Sequence, residues 1–363
     1  MGTITKRETG YLARVRRKGH ILSRTFDGRP EAKIWIGQVE AAIDSGYYRD
    51  DTQARNTKFG DLLKDYREKV TVRKKGAQRE ALKVRRLERQ PFAKLQLSEL
   101  RARHFIQFRD DRLASGRTPA TVRGDLAILS SIINHARKEW QISLPENPLS
   151  LVKKPSVRNA RTRILKGQEE TCLLRAIEPR GQDGNKKPIG PELRWLFILA
   201  VETGMRRGEL LGLDWADVHI KESWVTARDT KNGDDRDIPL TPAATEVFRE
   251  IRGDEINKKG RVFNLTGNAV TWRWRYALER AQALYIEDCE KTEIKPDPSF
   301  LQDLRWHDLR HVAITRLAEI VPDTLELSRI TGHKTLAMLR RYYNPHAKDL
   351  AVRLAQRIAA RAS

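Results

Sequence analysis

Between Lys153 and Lys166 the chain carries six basic residues, no acidic one, a proline at 155 and no apolar repeat of helical or strand period. A stretch of this kind has no face to bury, so no single core runs through it. The 363 residues are also too many for one ordinary core. The chain is therefore expected to divide at a basic linker, 153–166, into a region upstream and a larger one downstream.

Upstream, the pattern changes once more. Residues 1–55 read as a small α+β module. One strand covers Gly10–His20, with Leu12 and Val15 inward among cations, and a second covers His20–Phe26 after a Lys18-Gly19 turn. A helix over Glu31–Ser45 follows, with Ala32, Trp35, Ile36, Val39 and Ile43 at helical spacing and Gly46 as its stop. Residues 56–152 read as a helical domain. Phe59, Leu62, Leu63, Tyr66 and Val70 mark its first helix, a basic helix spans Ala77–Arg89, and a third spans Ser98–Leu113. Thr118-Pro119 starts the fourth, an N-cap followed by proline at the first helical position.

Downstream, residues 167–363 read as a mixed α/β unit. Helices are predicted over 168–176, 191–202 and 206–213, then an antiparallel hairpin of Trp224–Thr226 with Arg236–Leu240 across Lys231-Asn232-Gly233-Asp234. Further helices are predicted over 241–252, 268–288, 307–320, 324–330 and 335–342, and an amphipathic tail helix carries Leu350, Leu354 and Ile358. The fold class expected is mainly α with small β-sheets.

The net charge of +22 implies a polyanionic partner, because Lys and Arg displace counterions condensed on nucleic acid. Arg14, Arg16, Arg17 and Lys18 on the first hairpin and Lys153, Lys154, Arg158, Arg161 and Arg163 on the linker are the candidate DNA contacts, with Arg273 and Arg275 beside Trp272 and Trp274. Cys172 and Cys289 make neither a disulfide framework nor a zinc spacing. No apolar run approaches a membrane span, and Met1–Arg7 lacks the apolar stretch of a secretory signal. A cytoplasmic, nucleoid-associated protein with no membrane partner is expected.

Four short pieces carry chemistry. Thr203-Gly204-Met205-Arg206 sets an arginine at a helix start after a glycine turn; Lys231 sits on the hairpin tip; His307 and Arg310 lie three apart; His333 follows Gly332, with Tyr342 nine residues later and Tyr343 beside it. These are fixed cations, imidazoles and a phenol, without a carboxylate cluster to hold a metal. They suit a phosphodiester attacked by tyrosine.

In this order the pieces resemble the tyrosine recombinase (phage integrase-like) family, by motif over residues 165–345. The family pattern has an arginine in T-G-x-R-x-x-E-L, a hairpin lysine, H-x-x-R, G-H and a late tyrosine. Arg206, Lys231, His307, Arg310, His333 and Tyr342 fill those slots, and Glu209 matches an acidic position that orients its neighbours. By architecture, the resemblance extends upstream to a SAM-like core-binding domain and an arm-binding-like module. It implies a site-specific DNA recombinase working on double-stranded recombination sites. It further implies a homotetramer in which C-terminal segments dock on neighbouring protomers.

The chemistry agrees with the resemblance. Arg206 and Arg310 match the nonbridging oxygens of a pentavalent phosphorane, and His333 donates to the same phosphate. Tyr342, an ordinary phenol with pKa near ~10, needs those cations and a base, for which His307 is the candidate. Lys231 is placed by motif to protonate the departing 5′ oxygen. The 3′-phosphotyrosine stores the ester energy, so rejoining calls for no ATP, metal or other cofactor. His311, Trp306 and Trp215 are expected to pack rather than react. A type IB topoisomerase-like relaxing enzyme and a non-catalytic DNA-binding accessory are the competing readings. Integration or excision, and inversion of the shufflon type, remain open as the reaction's outcome.

Overall fold

The computed structural model describes residues 2–48, 50–144, 146–157, 161, 163–178, 189–228, 235–255, 257–321, 323–333, 335–339 and, past 350, only 351, 352, 354, 355, 358 and 359. Over these the fold is mainly α with two small antiparallel sheets of three strands each. The chain forms two compact units, Met1–Asn159 and Ala160–Ser363.

The first unit opens on a meander of β1 (Thr3–Arg7), β2 (Gly10–Arg17) and β3 (His20–Phe26). Arg17 pairs with His20, leaving Lys18 and Gly19 as a two-residue loop with φ of 43° and 83°. Positive φ at both positions is the turn that follows the right-handed twist of two strands. Helix α1 (Arg29–Asp44) covers the sheet with Ala32, Val39 and Ile43. The buried positions of β2 are Ala13 and Val15, not Leu12 and Val15 as expected. Side chains on a strand alternate, so residues three apart cannot share a face. Leu12 lies with the exposed Arg14 and Arg16 on the opposite side.

A helical core follows, made by α2 (Thr52–Asn56), α3 (Phe59–Lys69), α4 (Ala77–Leu87), α5 (Ala102–Ala114) and α6 (Pro119–Lys138). Phe59, Leu63, Phe105, Leu126, Leu129 and Ile133 fill it. Thr118 caps α6 as its sequence predicts, its Oγ1 accepting from the Thr121 amide at 3.3 Å. Helix α5 begins later than expected because Leu97–Glu99 forms a separate 3-10 turn. The Gln96 amide donates to Glu99 Oε2 at 2.9 Å and closes that turn. On α6, buried Asp125 accepts from Arg86 at 2.7 Å and Arg112 at 3.1 Å, which gives its charge the partners that burial requires.

The second unit runs α7 (Glu169–Ile177), α8 (Pro191–Thr203), α9 (Arg207–Gly212), β4 (Val218–His219), β5 (Trp224–Ala227), β6 (Arg236–Pro239), α10 (Pro242–Arg252), α11 (Gly267–Lys291), α12 (Asp308–Ile320), α13 (Thr324–Thr331) and α14 (Leu336–Leu339). Strand β4 was not foreseen: at two residues it is too short to show a period. The tip of the β5–β6 hairpin lies outside the described residues. Trp306 and Trp215 are both in the core, and the Trp274 ring meets those of Phe197 and Trp306.

Candidate active site

Helix α8 ends at Gly204, whose φ of 64° reverses the chain with little strain. Arg206 is the residue before α9, so its position is set by a glycine stop on one side and a helix start on the other. The Arg206 amide donates to Glu209 Oε2 at 2.8 Å, and its guanidinium donates to Glu209 Oε1 at 2.6 Å. This i,i+3 reciprocity is a capping geometry that also aims the arginine.

Arg310, 5% exposed, lies in the first turn of α12 and donates to two main-chain carbonyls, Gly204 O and Thr331 O. A permanent cation held this far from water requires such acceptors. The same two bonds tie the turn before Arg206 to the end of α13. That helix stops at Gly332, φ 68°, and His333 follows at once. Ser328 fixes His333 from both sides: its carbonyl accepts from the His333 amide at 3.2 Å, and its hydroxyl donates to His333 O at 2.6 Å. Arg206, Arg310 and His333 thus converge on one turn and one helix end.

The charges are consistent with that convergence. Burial alone would raise the Glu209 pKa. The hydrogen bond and charge of Arg236, and then the Arg206 amide and guanidinium, outweigh it and hold the carboxyl down at about 2. Burial lowers His333, and the charges of Arg310, Arg206 and Arg236 and then His311 take it down further, to about 4. His311 is also pushed down, by burial first and then by His307. Such a site is short of negative charge and ready for an anion.

His307 is exposed at the N-terminus of α12, with its ring 5.8 Å from that of His311. Lys231, Tyr342 and Tyr343 lie outside the described residues, as do Leu350 and Arg158. Among the described residues no group of His, Cys, Asp and Glu is arranged to hold a metal ion.

Several of the linker and surface cations expected to contact DNA form ion pairs within the chain. Arg161 donates from Nε and Nη2 to Asp308 at 2.8 and 2.7 Å and from Nη1 to Asp303 at 2.8 Å, and Arg163 donates to Glu169 at 2.9 Å. Asp308 and Glu169 are buried carboxylates, and these arginines supply their counter-charge. Arg273 is likewise paired with Glu192 at 2.6 Å and Arg17 with Asp44 at 2.7 Å. Lys18 also bonds Asp44 O, at 3.2 Å, and Arg275 pairs with Glu279 along its own helix at 3.0 Å. Arg14, Arg16, Lys153 and Lys154 remain exposed.

Residues 163–349 match the model of the phage integrase family. The chain belongs to that family. A shufflon-specific DNA recombinase of Escherichia coli is 33% identical over 83% of this chain and 72% of its own length. A putative integrase/recombinase of Haemophilus influenzae is 30% identical over 97% of this chain and 88% of its own. Among solved structures, the Tn1549 transposon integrase in complex with transposon right end DNA matches with a TM-score of 0.59 at 19% identity, over 84% of this chain and 100% of that one. A lambda integrase tetramer bound to a Holliday junction matches at 0.57 and 17% identity, over 94% of each chain. These two carry the fold alone. As an integrase-family protein the chain is a tyrosine-type site-specific DNA recombinase.

One residue of this cluster was not among those expected from the sequence. Arg236, 10% exposed in its side chain, clasps Glu209 with Nη1 and Nη2 at 3.2 and 2.9 Å and donates from Nε to Ile330 O at 3.2 Å. It joins the strand after the lysine hairpin to the carboxylate that aims Arg206. Its only sequence signal was an arginine on a strand with Ile238 facing inward, which is also how a solvated residue reads.

Proposed function

We propose that this integrase-family recombinase cleaves and rejoins DNA at specific sites through a 3′-phosphotyrosine on Tyr342. Arg206, Arg310 and His333 bind the scissile phosphate, His307 takes the phenol proton, and Lys231 protonates the 5′ oxygen. The observation that carries this reading is the meeting of Arg206 and Arg310 at Gly204 with His333 beside them, a preorganised cation cluster needing little rearrangement when charge develops. A nicked suicide substrate tests it: the wild type is expected to form a covalent adduct, and Tyr342→Phe to bind DNA without one. An adduct that survives Tyr342→Phe and disappears in Tyr343→Phe moves the nucleophile by one residue.

The partners are duplex recombination sites and, in synapsis, three further copies of this chain. The lambda integrase tetramer on a Holliday junction supports that assembly by its shared fold. Leu354 and Ile358, each 61% exposed, are the apolar side chains that exchange between protomers in this reading. The outer face of β1–β3, with Arg14 and Arg16, binds a second class of DNA site. The likeness to a shufflon-specific recombinase favours inversion over integration. Plasmids carrying paired candidate sites in inverted or direct orientation separate the two outcomes.

A further inference from the structure

We propose that Thr331 is a positioning residue for strand cleavage: its hydroxyl pins the proton of neutral His333 to Nδ1 and makes Nε2 the ring nitrogen that gains a proton at the scissile phosphate. This rests on the phosphate-binding role proposed for His333. Thr331 is fully buried in the last turn of α13, and its Oγ1 lies 2.7 Å from Leu327 O and 2.7 Å from His333 Nδ1. A hydroxyl has one hydrogen to give, and a carbonyl oxygen only accepts. The contact with Leu327 O is a hydrogen bond only when the Thr331 hydrogen lies in it, and two bare oxygens at 2.7 Å would repel. The second contact is a hydrogen bond only when His333 Nδ1 carries the hydrogen and donates it to Oγ1. The tautomer follows from the network around the ring, and in the neutral ring the lone pair is on Nε2.

The neighbours explain why this matters. Burial, Arg310 and His311 on α12, Arg206 before α9 and Arg236 on β6 all oppose a proton on this imidazole. Without an anion the ring is neutral, and Nε2 has no hydrogen to offer a phosphate oxygen. A phosphodiester seated among the same cations offsets their repulsion. The ring then takes one proton from solvent onto Nε2. In the resulting imidazolium, Nδ1–H stays on Thr331 and Nε2–H is donated to a nonbridging oxygen. The alternative neutral tautomer would donate from Nε2 without proton uptake, and the Thr331 hydroxyl disfavours it.

Thr331→Val removes the hydroxyl at nearly constant volume, and Thr331→Ser keeps it. Long-range proton–nitrogen NMR of DNA-free protein, labelled at histidine and assigned with His333→Gln, reads the tautomer directly. The wild type and Thr331→Ser are expected to show protonated Nδ1, and Thr331→Val a shift toward protonated Nε2. Single-turnover cleavage at saturating DNA is expected to slow about 10²-fold in Thr331→Val, because the His333 ring then meets the phosphate as a neutral donor and the Nδ1–H of an imidazolium has no acceptor. Thr331→Ser should restore it, with DNA affinity equal in all three. A wild-type ring protonated on Nε2 overturns the proposal, even where Thr331→Val fails to fold. So does a folded Thr331→Val that cleaves at the wild-type rate. Absence of any covalent adduct from the wild type overturns the active-site reading instead, because the NMR result does not depend on cleavage.

Discussion

At the scale of single residues, the site is held by charges that would be costly if separated. Glu209 has two arginines on it, and removing Arg236 leaves a buried carboxylate with Arg206 as its remaining guanidinium partner. Arg236→Ala is therefore expected to slow cleavage by about 10-fold or more through misaimed Arg206, while DNA affinity at low salt changes little. Arg236→Lys should recover only part of the loss, since an ammonium cannot grip both oxygens. Comparing single-turnover rates with DNA affinities separates this from a general loss of folding. A second expectation concerns pH. Glu209 sits at about 2 against an ordinary 4.5, and His333 at about 4 against 6.5. Each folded value is below its unfolded one, so each contribution is complete above the unfolded pKa and lost as pH falls through the folded one. The DNA-free protein should lose thermal stability first from about pH 6.5 to about 4 through His333, then from about 4.5 to about 2 through Glu209. Melting curves of the wild type and His333→Gln check it: the variant's curve should be flatter in the upper window.

At the scale of elements, two left-handed glycines define the site. Gly204 ends α8 before Arg206, and Gly332 ends α13 before His333. An alanine Cβ at Gly204 would meet Ala313 at 3.4 Å, an ordinary contact, whereas at Gly332 it would meet the Arg236 guanidinium at 2.9 Å. Both variants incur about 1–2 kcal/mol for the left-handed backbone. Gly332→Ala must also displace Arg236, so it should be the more destabilising and the more damaging to cleavage. Urea midpoints and adduct formation measured on both proteins test that order. Arg161 belongs to this scale too: its bonds to Asp308 tie the basic stretch ahead of α7 to the first turn of α12.

For the whole molecule, the net charge of +22 is what sets the expected salt dependence of DNA binding. Affinity for any duplex should fall steeply with salt, with a log–log slope of about −0.9 per phosphate neutralised. Arg14→Ala with Arg16→Ala should reduce that slope in the full chain without altering the adduct rate on a minimal core site. An unchanged slope removes the outer face of β1–β3 from the interface. Among the described residues no helix is long and apolar enough to cross a membrane.

Much of this was legible in the chain itself, because helical period, a Thr-Pro cap, a Lys-Gly turn and Gly stops act over a few neighbouring residues. The motifs that hold Arg206, His307, Arg310 and His333 are short for the same reason. The face of Leu12, the late start of α5, strand β4, and the partners of Arg236, Arg161 and Arg163 were not legible. Each depends on which group folding brings alongside, and an arginine's letter is the same whether it meets solvent, a phosphate or a carboxylate buried far away in sequence. Local geometry was written into the sequence; the pairing of charges was decided only by tertiary structure, because burial removes the water that would otherwise satisfy them.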